Sequence, residues 1–537
     1  MPASGEILCQ RYDALKGERG TFESHWQEIS EYIFPRRSDF NVQHAQGDKR
    51  QTKIYDGTGT QALELLAAGL HGMATNPASR WFSLKLSNEA LNEEDAIREY
   101  LANVEDVMFS EMHAPGSAIT THLHELYLDY GAFGTGVMFI GKTKKDRLLF
   151  QTRFLGECTI DENSEGVVDT VFRKFKMTVR QAFQTFGKKV SKETKDKYEQ
   201  GKMNEQVEIL HAVYPREEAD LSKKNTANMP YASCYVELKD KHVLNEGGFE
   251  EFPYAVPRWY KVAGEVYGRS PAMTALPDVK MLQEMMKNTL KAAQKIVDPP
   301  LMVPDDGMIG PVRTVPGGLN FYRGEYEIKP LVTGGNVPLA LDMMQDVRNR
   351  ILTTFFVDQL QMTGDADMTA TEVMQRTEER MRLLGPILGR MESELLGPII
   401  NRVFGILSRL GRFTDQPQEL DGQDFIVEYV SPIAIAQRSQ KVDRVVAALT
   451  VAGQVAAAVP PGHPMFTKFN DERFLPWLFE ETNADPELIL DDEEAAQKEQ
   501  TQQMANAVGP AAVAADAFAK AGQGTKAFAE AQAAGNA

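Results

Sequence analysis

One stretch of the sequence matches the pattern of a phosphate-binding loop. Residues 136–143 read Gly-Val-Met-Phe-Ile-Gly-Lys-Thr, which satisfies the P-loop pattern of nucleoside triphosphatases. A phosphate cradle needs a compact loop of exposed N–H groups between a strand and a helix, but the four intervening residues are large and apolar. They are typical of a strand, and Lys142 to Asp146 is typical of a hairpin turn. We therefore predict a strand and a turn, with a nucleotide site as the alternative.

Two groups of polar residues have the types and spacing of metal ligands. His122, Glu125 and Asp129 fall at i, i+3 and i+7, on one face of a predicted helix. Asp365 and Asp367 lie in a short acidic loop, which lacks the glycine and glutamate of a calcium-binding loop. No second ligand pair accompanies the histidine, so we favour a solvated helix face and a flexible acidic loop. The sequence predicts no metal and no cofactor.

Motifs of hydrolytic enzymes are absent from the sequence. It contains neither Gly-x-Ser-x-Gly nor His-Glu-x-x-His, and none of Cys9, Cys158 and Cys234 stands beside a histidine. An odd number of scattered cysteines favours buried thiols in a reducing compartment over a disulfide framework. We therefore do not expect an enzyme.

Four lysines line one face of another predicted helix. At about 100° per residue they cluster roughly 135° from the apolar residues of that helix. The lysines are Lys280, Lys287, Lys291 and Lys295. The apolar residues are Val279, Leu282, Met286, Leu290, Ala293 and Val297. Taken alone, such a pattern usually indicates a solvated face.

Composition limits what these lysines can do. The 537 residues carry a net charge of -18 and a pI of about 5.1, which argues against a protein that holds nucleic acid by general basic attraction. Any contact with DNA must be local or weak.

The start of the chain lacks the apolar core of a signal peptide, and the longest apolar run, 445–459, is too short to span a bilayer. We expect no membrane segment and about three to five structural units.

The first half of the chain alternates between helical and strand patterns. A helix predicted at 10–34 ends at Pro35, and a strand is predicted from Arg80 to Leu84. Further helices are predicted at 58–74, 93–113 and 117–131. Further strands are predicted at 136–141, 147–154, 167–175, 206–215 and 231–239.

The second half favours long helices. The lysine-lined helix runs from Pro277 to 297, a β-rich excursion follows, and Pro338 can open a helix that reaches about Asp358. After a polar loop, a helix from 372 to about 410 should be kinked at Gly385-Pro386 and Gly397-Pro398. A strand at 424–430, helices at 437–458 and 472–482, and an Ala-rich mobile tail from 495 complete the prediction.

This order of elements resembles a bacteriophage portal protein, the head-to-tail connector of short-tailed phages. The resemblance covers roughly residues 10–490, and five short strings support it. They are Tyr12-Asp-Ala-Leu, Asn76-Pro-Ala-Ser-Arg-Trp-Phe, Arg258-Trp-Tyr, Tyr267-Gly-Arg-Ser-Pro and Met368-Thr-Ala-Thr-Glu. The resemblance implies an α+β, predominantly α-helical subunit with wing, stem, clip and crown.

The resemblance also implies a function. Portal subunits form a ring, usually of twelve, at one capsid vertex, and genomic double-stranded DNA enters and leaves through its centre. The implied partners are terminase, which hydrolyses ATP, tail adaptor proteins, and the major capsid and scaffold proteins. The implied location is the virion, and the bacterial host cytoplasm during assembly. A P-loop nucleoside triphosphatase and a non-channel scaffold component of the capsid remain the alternatives.

The resemblance assigns segments as follows. The wing is 1–275, the stem helices are 276–297 and 338–358, the clip is 298–337, the tunnel loop is 359–371, the long kinked helix with the remaining wing is 372–430, the crown is 431–494 and the mobile tail is 495–537. We expect at least two of the four lysines to face the channel, and the clip strands to pair across subunits. We expect the tunnel loop to narrow the bore through Gln361, Met362, Thr363, Gly364, Asp365, Asp367 and Met368.

Overall fold

The computed structural model describes residues 4–37, 39–42, 44–45, 47–92, 94–216, 225–226, 228–302, 329–330, 337–360, 385–414, 416–417, 420, 425–429 and 445. The chain divides into two compact units, Met1–Ile433 and Ala434–Ala537, and every element named below belongs to the first. Helices and strands are mixed within it, so the predicted α+β class is confirmed. The predicted crown and tail lie outside the described residues, apart from residue 445.

Helices make up most of the chain before the large sheet. In chain order they are α1 (Gly5–Glu18), α2 (Gly20–Tyr32), α3 (Thr58–Ala74), α4 (Glu89–Asn92), α5 (Asp95–His113) and α6 (Ile119–Phe133). The helices predicted at 58–74, 93–113 and 117–131 are confirmed as α3, α5 and α6.

The single helix predicted at 10–34 is wrong, because the chain breaks at Arg19 into α1 and α2. The Arg19 side chain is buried, and its guanidinium donates to the carbonyl oxygens of Leu155 at 3.2 Å, Gly156 at 2.8 Å and Cys158. Burying a charged group is costly unless it is hydrogen-bonded, so these carbonyls fix the direction of the side chain. The partners lie 136 to 139 residues away along the chain, beyond the reach of a local pattern.

The described strands lie between residues 82 and 429. In chain order they are β1 (Phe82–Leu86), β2 (Met138–Lys142), β3 (Leu148–Thr152), β4 (Cys158–Glu162), β5 (Val168–Thr178), β6 (Gln206–Pro215), β7 (Tyr231–Glu237), β8 (His242–Phe249), β9 (Tyr254–Ala255), β10 (Leu301–Met302), β11 (Lys329–Pro330) and β12 (Phe425–Tyr429). The strands β4 to β8 form one sheet in that order, β2 pairs with β3 and β9, β1 pairs with β12, and β10 pairs with β11. All pairs are antiparallel. The predicted strands are confirmed within a few residues, whereas β4, β8 and β9 were not predicted.

The remaining described helices begin within the large sheet and end near residue 410. They are α7 (Val179–Phe186), α8 (Lys192–Glu199), α9 (Pro271–Val297), α10 (Val337–Thr354), α11 (Val357–Leu360), α12 (385–391) and α13 (Gly397–Arg409). Helices α7 and α8 were not predicted. A capping box at Thr178 and Gln181 and a serine cap at Ser191 mark their starts.

Both faces of the large sheet are covered. Because side chains alternate between the faces of a strand, β6 supplies Ile209 to one face and Leu210 to the other. On the first face Ile209 joins Val179 of α7, and on the second Leu210 joins Leu8 and Tyr12 of α1. The sheet, α1, α7 and α8 form one layer, here called the sheet layer.

The largest hydrophobic cluster lies mainly among the helices, and it also takes in Ile160, Val171 and Val213 of the large sheet. It contains Trp26, Trp81 and Trp259, all at most 2% exposed, and it takes in residues of α9, α10 and α13. This cluster therefore connects the lysine-lined helix to the body of the unit. Among the described helices, none combines the length and the hydropathy needed to span a membrane.

A π-helical segment, Glu392–Leu396, lies between α12 and α13, directly before the kink predicted at Gly397-Pro398. Pro398 has no N–H to donate, and the Gly397 N–H bonds to the Glu392 carbonyl instead of continuing the α-helical pattern. The extra residue in this turn widens the helix, which is a known cause of kinks. The residues before 385 lie outside the described chain, so the kink at Gly385-Pro386 stays a prediction.

Candidate functional site

The lysine-lined helix begins earlier than predicted. It starts at Pro271 rather than near Pro277, because Ser270 caps it: the Ser270 hydroxyl accepts the Met273 N–H at 3.0 Å and donates to the Ala132 carbonyl at 2.7 Å. Pro271 occupies the first turn, where a missing N–H costs nothing. Pro277 lies inside the helix. The helix is therefore 27 residues long, about 40 Å at 1.5 Å per residue.

Helix α10 packs beside α9 and runs in the opposite direction. Asp278, near the start of α9, pairs with Arg350 near the end of α10, at 3.4 Å. At the other end, β10 directly after α9 pairs with β11 shortly before α10. The two helices therefore form a hairpin that brackets the predicted clip. The helix predicted to reach Asp358 ends at Thr354, because Phe356 takes a left-handed φ of 58° before α11 begins.

A buried polar lock ties this hairpin to the turn before α3. The Gln283 side chain of α9 accepts the N–H groups of Tyr55 and Asp56 at 2.6 and 2.8 Å, and donates to the Asp56 carbonyl at 2.8 Å. Arg348 of α10 donates twice to the Asp56 carboxylate, at 2.9 and 3.1 Å. Burial alone would raise the pKa of Asp56, but hydrogen bonds from Thr58 and Arg348 outweigh it and lower that pKa. One aspartate therefore holds both helices.

The four lysines lie on the outer side of α9, away from the core. Two of them have partners within the chain: the Lys280 Nζ is 3.3 Å from a Glu28 oxygen, and the Lys287 Nζ is 3.5 Å from a Glu284 oxygen. Within the described chain, Lys291 and Lys295 make no ion pair, and both are exposed. The structure thus brings the four side chains onto one edge of the hairpin but leaves unneutralised only the two farthest along α9.

The far end of the hairpin exposes apolar side chains. Val297 is 86% exposed, and Leu290, Met302 and Met343 are each about half exposed. Exposed apolar residues that cluster in this way are typical of an interaction surface. Of the predicted clip, the structure describes residues 298–302, 329–330 and 337, so pairing of clip strands across subunits stays a prediction.

The predicted tunnel loop lies outside the described residues from 361 onward. The chain enters it through α11, whose last residue, Leu360, packs on Gly69 of α3. A Cβ at Gly69 would lie only 2.9 Å from the Leu360 Cβ, so the close approach requires glycine. Gly69 and Leu360 lie far apart in the sequence, so no local pattern indicates this contact.

An arginine clamp holds the kink of the long helix. Arg258 is 1% exposed, and its guanidinium donates to Glu162 at 2.6 Å and to Glu394, in the π segment, at 2.7 and 3.2 Å. It also donates to the carbonyls of Gly166 at 2.7 Å and Val266 at 3.2 Å. Burial would lower the pKa of Arg258, but the two carboxylates outweigh it and raise that pKa. Arg258-Trp-Tyr is one of the five strings of the family resemblance, but no local pattern indicates the role of Arg258 as a clamp.

The P-loop-like segment has no phosphate cradle. Its last residues belong to the β2–β3 hairpin, and the N–H groups of Gly136 and Ile140 already donate to the carbonyls of Pro257 and Pro253. Lys142 pairs with Asp146 across the turn at 2.9 Å. The interpretation as a strand and a turn is confirmed.

The residues with metal-ligand spacing have protein partners instead. Arg37 lies 3.4 Å from Asp129 and 3.7 Å from Glu125, and His122 lies 3.2 Å from Glu125. Complete burial raises the pKa of Asp129 to about 7, against the opposing effect of Arg37. Among the described residues, no group of three or more ligand-type side chains is placed to hold a metal ion. Asp365 and Asp367 lie outside them. The three cysteines are buried free thiols, as predicted.

Comparison with known proteins decides the family. The family described as "Bacteriophage head to tail connecting protein" matches residues 6–490. The chain belongs to this family. Its resemblance to phage portal proteins, inferred above from the order of elements and five strings, is thereby confirmed.

Relatives with curated names agree with this assignment. A probable portal protein of Bordetella phage BPP-1 is 36% identical, over 96% of this chain and 95% of its own length. The portal protein of Salmonella phage epsilon15 is 32% identical, over 98% of this chain and 96% of its own. The portal protein of Enterobacteria phage T3 is 20% identical over 76% of this chain and 75% of its own length. A chain from the virion of a native gene transfer agent particle covers 81% of this chain and 99% of its own, with 11% identity and a TM-score of 0.37.

Proposed function

We propose that this chain is the subunit of a portal ring at one vertex of a phage capsid, and that double-stranded DNA passes through the ring during packaging and ejection. The match of the head-to-tail connecting family across residues 6–490 supports this role most strongly. The ring has twelve subunits, assembles in the host cytoplasm and becomes part of the virion. It contacts the major capsid, scaffold and tail adaptor proteins, and terminase supplies ATP hydrolysis.

The segments of the subunit have separate roles in this proposal. Helices α9 and α10 are the stem, and the chain between them is the clip, whose exposed end receives terminase and later the tail adaptors. The elements before α9, together with the long kinked helix and β12, form the wing. Residues 359–371 are the tunnel loop, which narrows the bore, and residues 431–494 are the crown.

Within the stem, Lys291 and Lys295 are the lysines that face DNA. They are exposed and have no ion-pair partner in the described chain, so their charge is available to a phosphate. A conduit must touch phosphates without holding them, since each neutralised phosphate strengthens binding and steepens its salt dependence. Two exposed lysines in a subunit of net charge -18 can contact phosphates without binding the DNA tightly.

Negative-stain images of the purified chain test the ring. We expect closed rings with a central hole, and a monodisperse monomer at assembly concentrations would contradict the proposal.

Packaging with terminase tests the lysines. The variant Lys291→Ala/Lys295→Ala should form rings that lose packaged DNA more readily. The affinity of these rings for DNA should also fall less steeply with salt concentration. The control Lys144→Ala/Lys145→Ala changes the same charge on the exposed β2–β3 turn and should behave as the wild type; equal behaviour of both variants would remove the lysines from the channel.

A further inference from the structure

The outer edge of α10 is acidic and unpaired. Asp342 and Asp346 are exposed, and within the described chain neither makes a hydrogen bond or an ion pair. At about 100° per residue, both lie more than about 90° from the buried residues Met344, Val347 and Ile351, which face α9 and the core. The two carboxylates therefore point away from the buried side of α10.

The outer edge of α9 is basic at the same level of the hairpin. The Asp278–Arg350 pair fixes the register of the antiparallel helices. Counting about 1.5 Å per residue from that pair, Asp342 lies level with the segment near Lys287, and Asp346 lies level with the segment near Lys280. Lys280 and Lys287 are partly exposed, with side chains 43% and 38% accessible. Each hairpin thus has a basic edge and an acidic edge at matching heights.

A closed ring brings unlike surfaces of neighbouring copies together, because each head-to-tail contact joins one side of a subunit to the other side of the next. We propose that Asp342 and Asp346 of one copy pair with Lys287 and Lys280 of the adjacent copy. This inference rests on the proposed ring and specifies which stem surfaces meet. It also separates two roles along α9, since Lys291 and Lys295 lie beyond these aspartates and remain free for DNA.

The intrachain partners of the lysines are compatible with this interface. The distances from Lys280 to Glu28 and from Lys287 to Glu284 are 3.3 and 3.5 Å, and the two glutamates are at least half exposed. A lysine carries three N–H donors and can serve a second carboxylate. Each such pair contributes little by itself, but complementary charges fix the register of an interface and disfavour wrong contacts. The exposed apolar residues at the far end of the hairpin add apolar contact area to this interface, which the charged pairs do not provide.

A charge swap tests the pairing. In Asp342→Lys/Asp346→Lys, like charges meet in every interface, and we expect the population of closed rings to fall at least about tenfold. Adding Lys280→Glu/Lys287→Glu to that variant restores opposite charges and should restore rings. The control Asp196→Lys/Asp240→Lys makes the same charge change at exposed positions of the sheet layer and should form rings normally. Circular dichroism shows whether each subunit is folded.

The outcomes separate this inference from the proposed function. If the wild type forms no ring, the portal-ring proposal fails. If the wild type and the Asp342→Lys/Asp346→Lys variant form rings equally well, the ring stands and the pairing is wrong. If rings are lost in that variant and the added lysine changes do not restore them, the aspartates face some other surface, and the proposed pairing is overturned as well.

Discussion

The sheet layer and the stem hairpin satisfy their polar groups in different ways. In the sheet layer, buried Glu237 accepts the Ser191 hydroxyl at 2.8 Å and its N–H at 3.2 Å, and His211 contacts Ser233 at 2.9 Å. Burial lowers the pKa of His211 to about 3, so it stays neutral. In the hairpin, by contrast, apolar side chains and charges at the far end stay exposed within the described chain.

This difference separates stability from assembly. The sheet layer has hydrophobic clusters on both faces, and they are buried within the described chain. Within the described chain, the hairpin buries one stripe against the body and leaves Lys291 and Lys295 of α9, and Asp342 and Asp346 of α10, exposed. Substitutions in the first region should therefore change the free energy of unfolding of the isolated subunit, whereas substitutions on the hairpin edges should change ring formation or DNA passage and leave that free energy nearly unchanged.

The largest effect on the isolated subunit is expected from Arg258→Ala. Removing this arginine leaves Glu162 and Glu394 without their shared partner between the sheet and the kinked helix, and breaking a buried pair in this way costs about 3–5 kcal/mol. Urea denaturation of the subunit measures the loss. The control Arg390→Ala removes a partly exposed partner of Glu394 at 3.3 Å and should cost less than about 1 kcal/mol. Equal losses would show that Arg258 does not act as the clamp.

A smaller effect is expected where the hairpin region meets the body, from Gly69→Ala. The added methyl group would overlap Leu360, and overpacking of this kind costs about 1–3 kcal/mol. Thermal unfolding measures the cost. Gly72→Ala is a matched control on the same helix, because a Cβ at Gly72 meets nothing within 4 Å. Stabilisation by both substitutions would mean that α11 shifts freely, and the entry of the tunnel loop would then not be fixed at Gly69.

Asp129 allows a test by pH. Its pKa is raised from 3.8 to about 7 by burial, so the folded chain binds this proton more tightly than the unfolded chain does. Stability from this group is therefore full below about pH 4 and declines as the pH rises to about 7. The Asp129→Asn variant lacks this titration. We expect the stability of the wild type relative to the variant to fall by at least about 1 kcal/mol across that range, and a constant difference would contradict it.

Local patterns were sufficient for elements whose causes lie close by in sequence. Helix α3 occupies the predicted 58–74, and the break before Pro398 follows from the proline itself. Apart from the Val266 carbonyl, the partners of Arg19 and Arg258 named above lie 92 to 139 residues away, so no local pattern contains the split at Arg19 or the clamp at Arg258. The lysine stripe was predicted as one surface. The pair of Lys287 with Glu284 is local, at i, i+3, whereas only the structure shows that Glu28 pairs with Lys280, because the two lie 252 residues apart.

The smallest effect is expected at the P-loop-like segment, from Lys142→Ala. In a nucleotide site this lysine would contact phosphate, and its loss would abolish binding. Here it pairs with Asp146 on an exposed turn, and a pair of this kind contributes at most about 0.5 kcal/mol. Denaturation of the purified subunit measures its stability, and a nucleotide-binding assay measures its affinity for nucleotide. Lys144→Ala is the control for both measurements. Unchanged stability and no nucleotide binding in either protein would agree with a hairpin turn, whereas binding that disappears in Lys142→Ala would restore the alternative of a nucleoside triphosphatase.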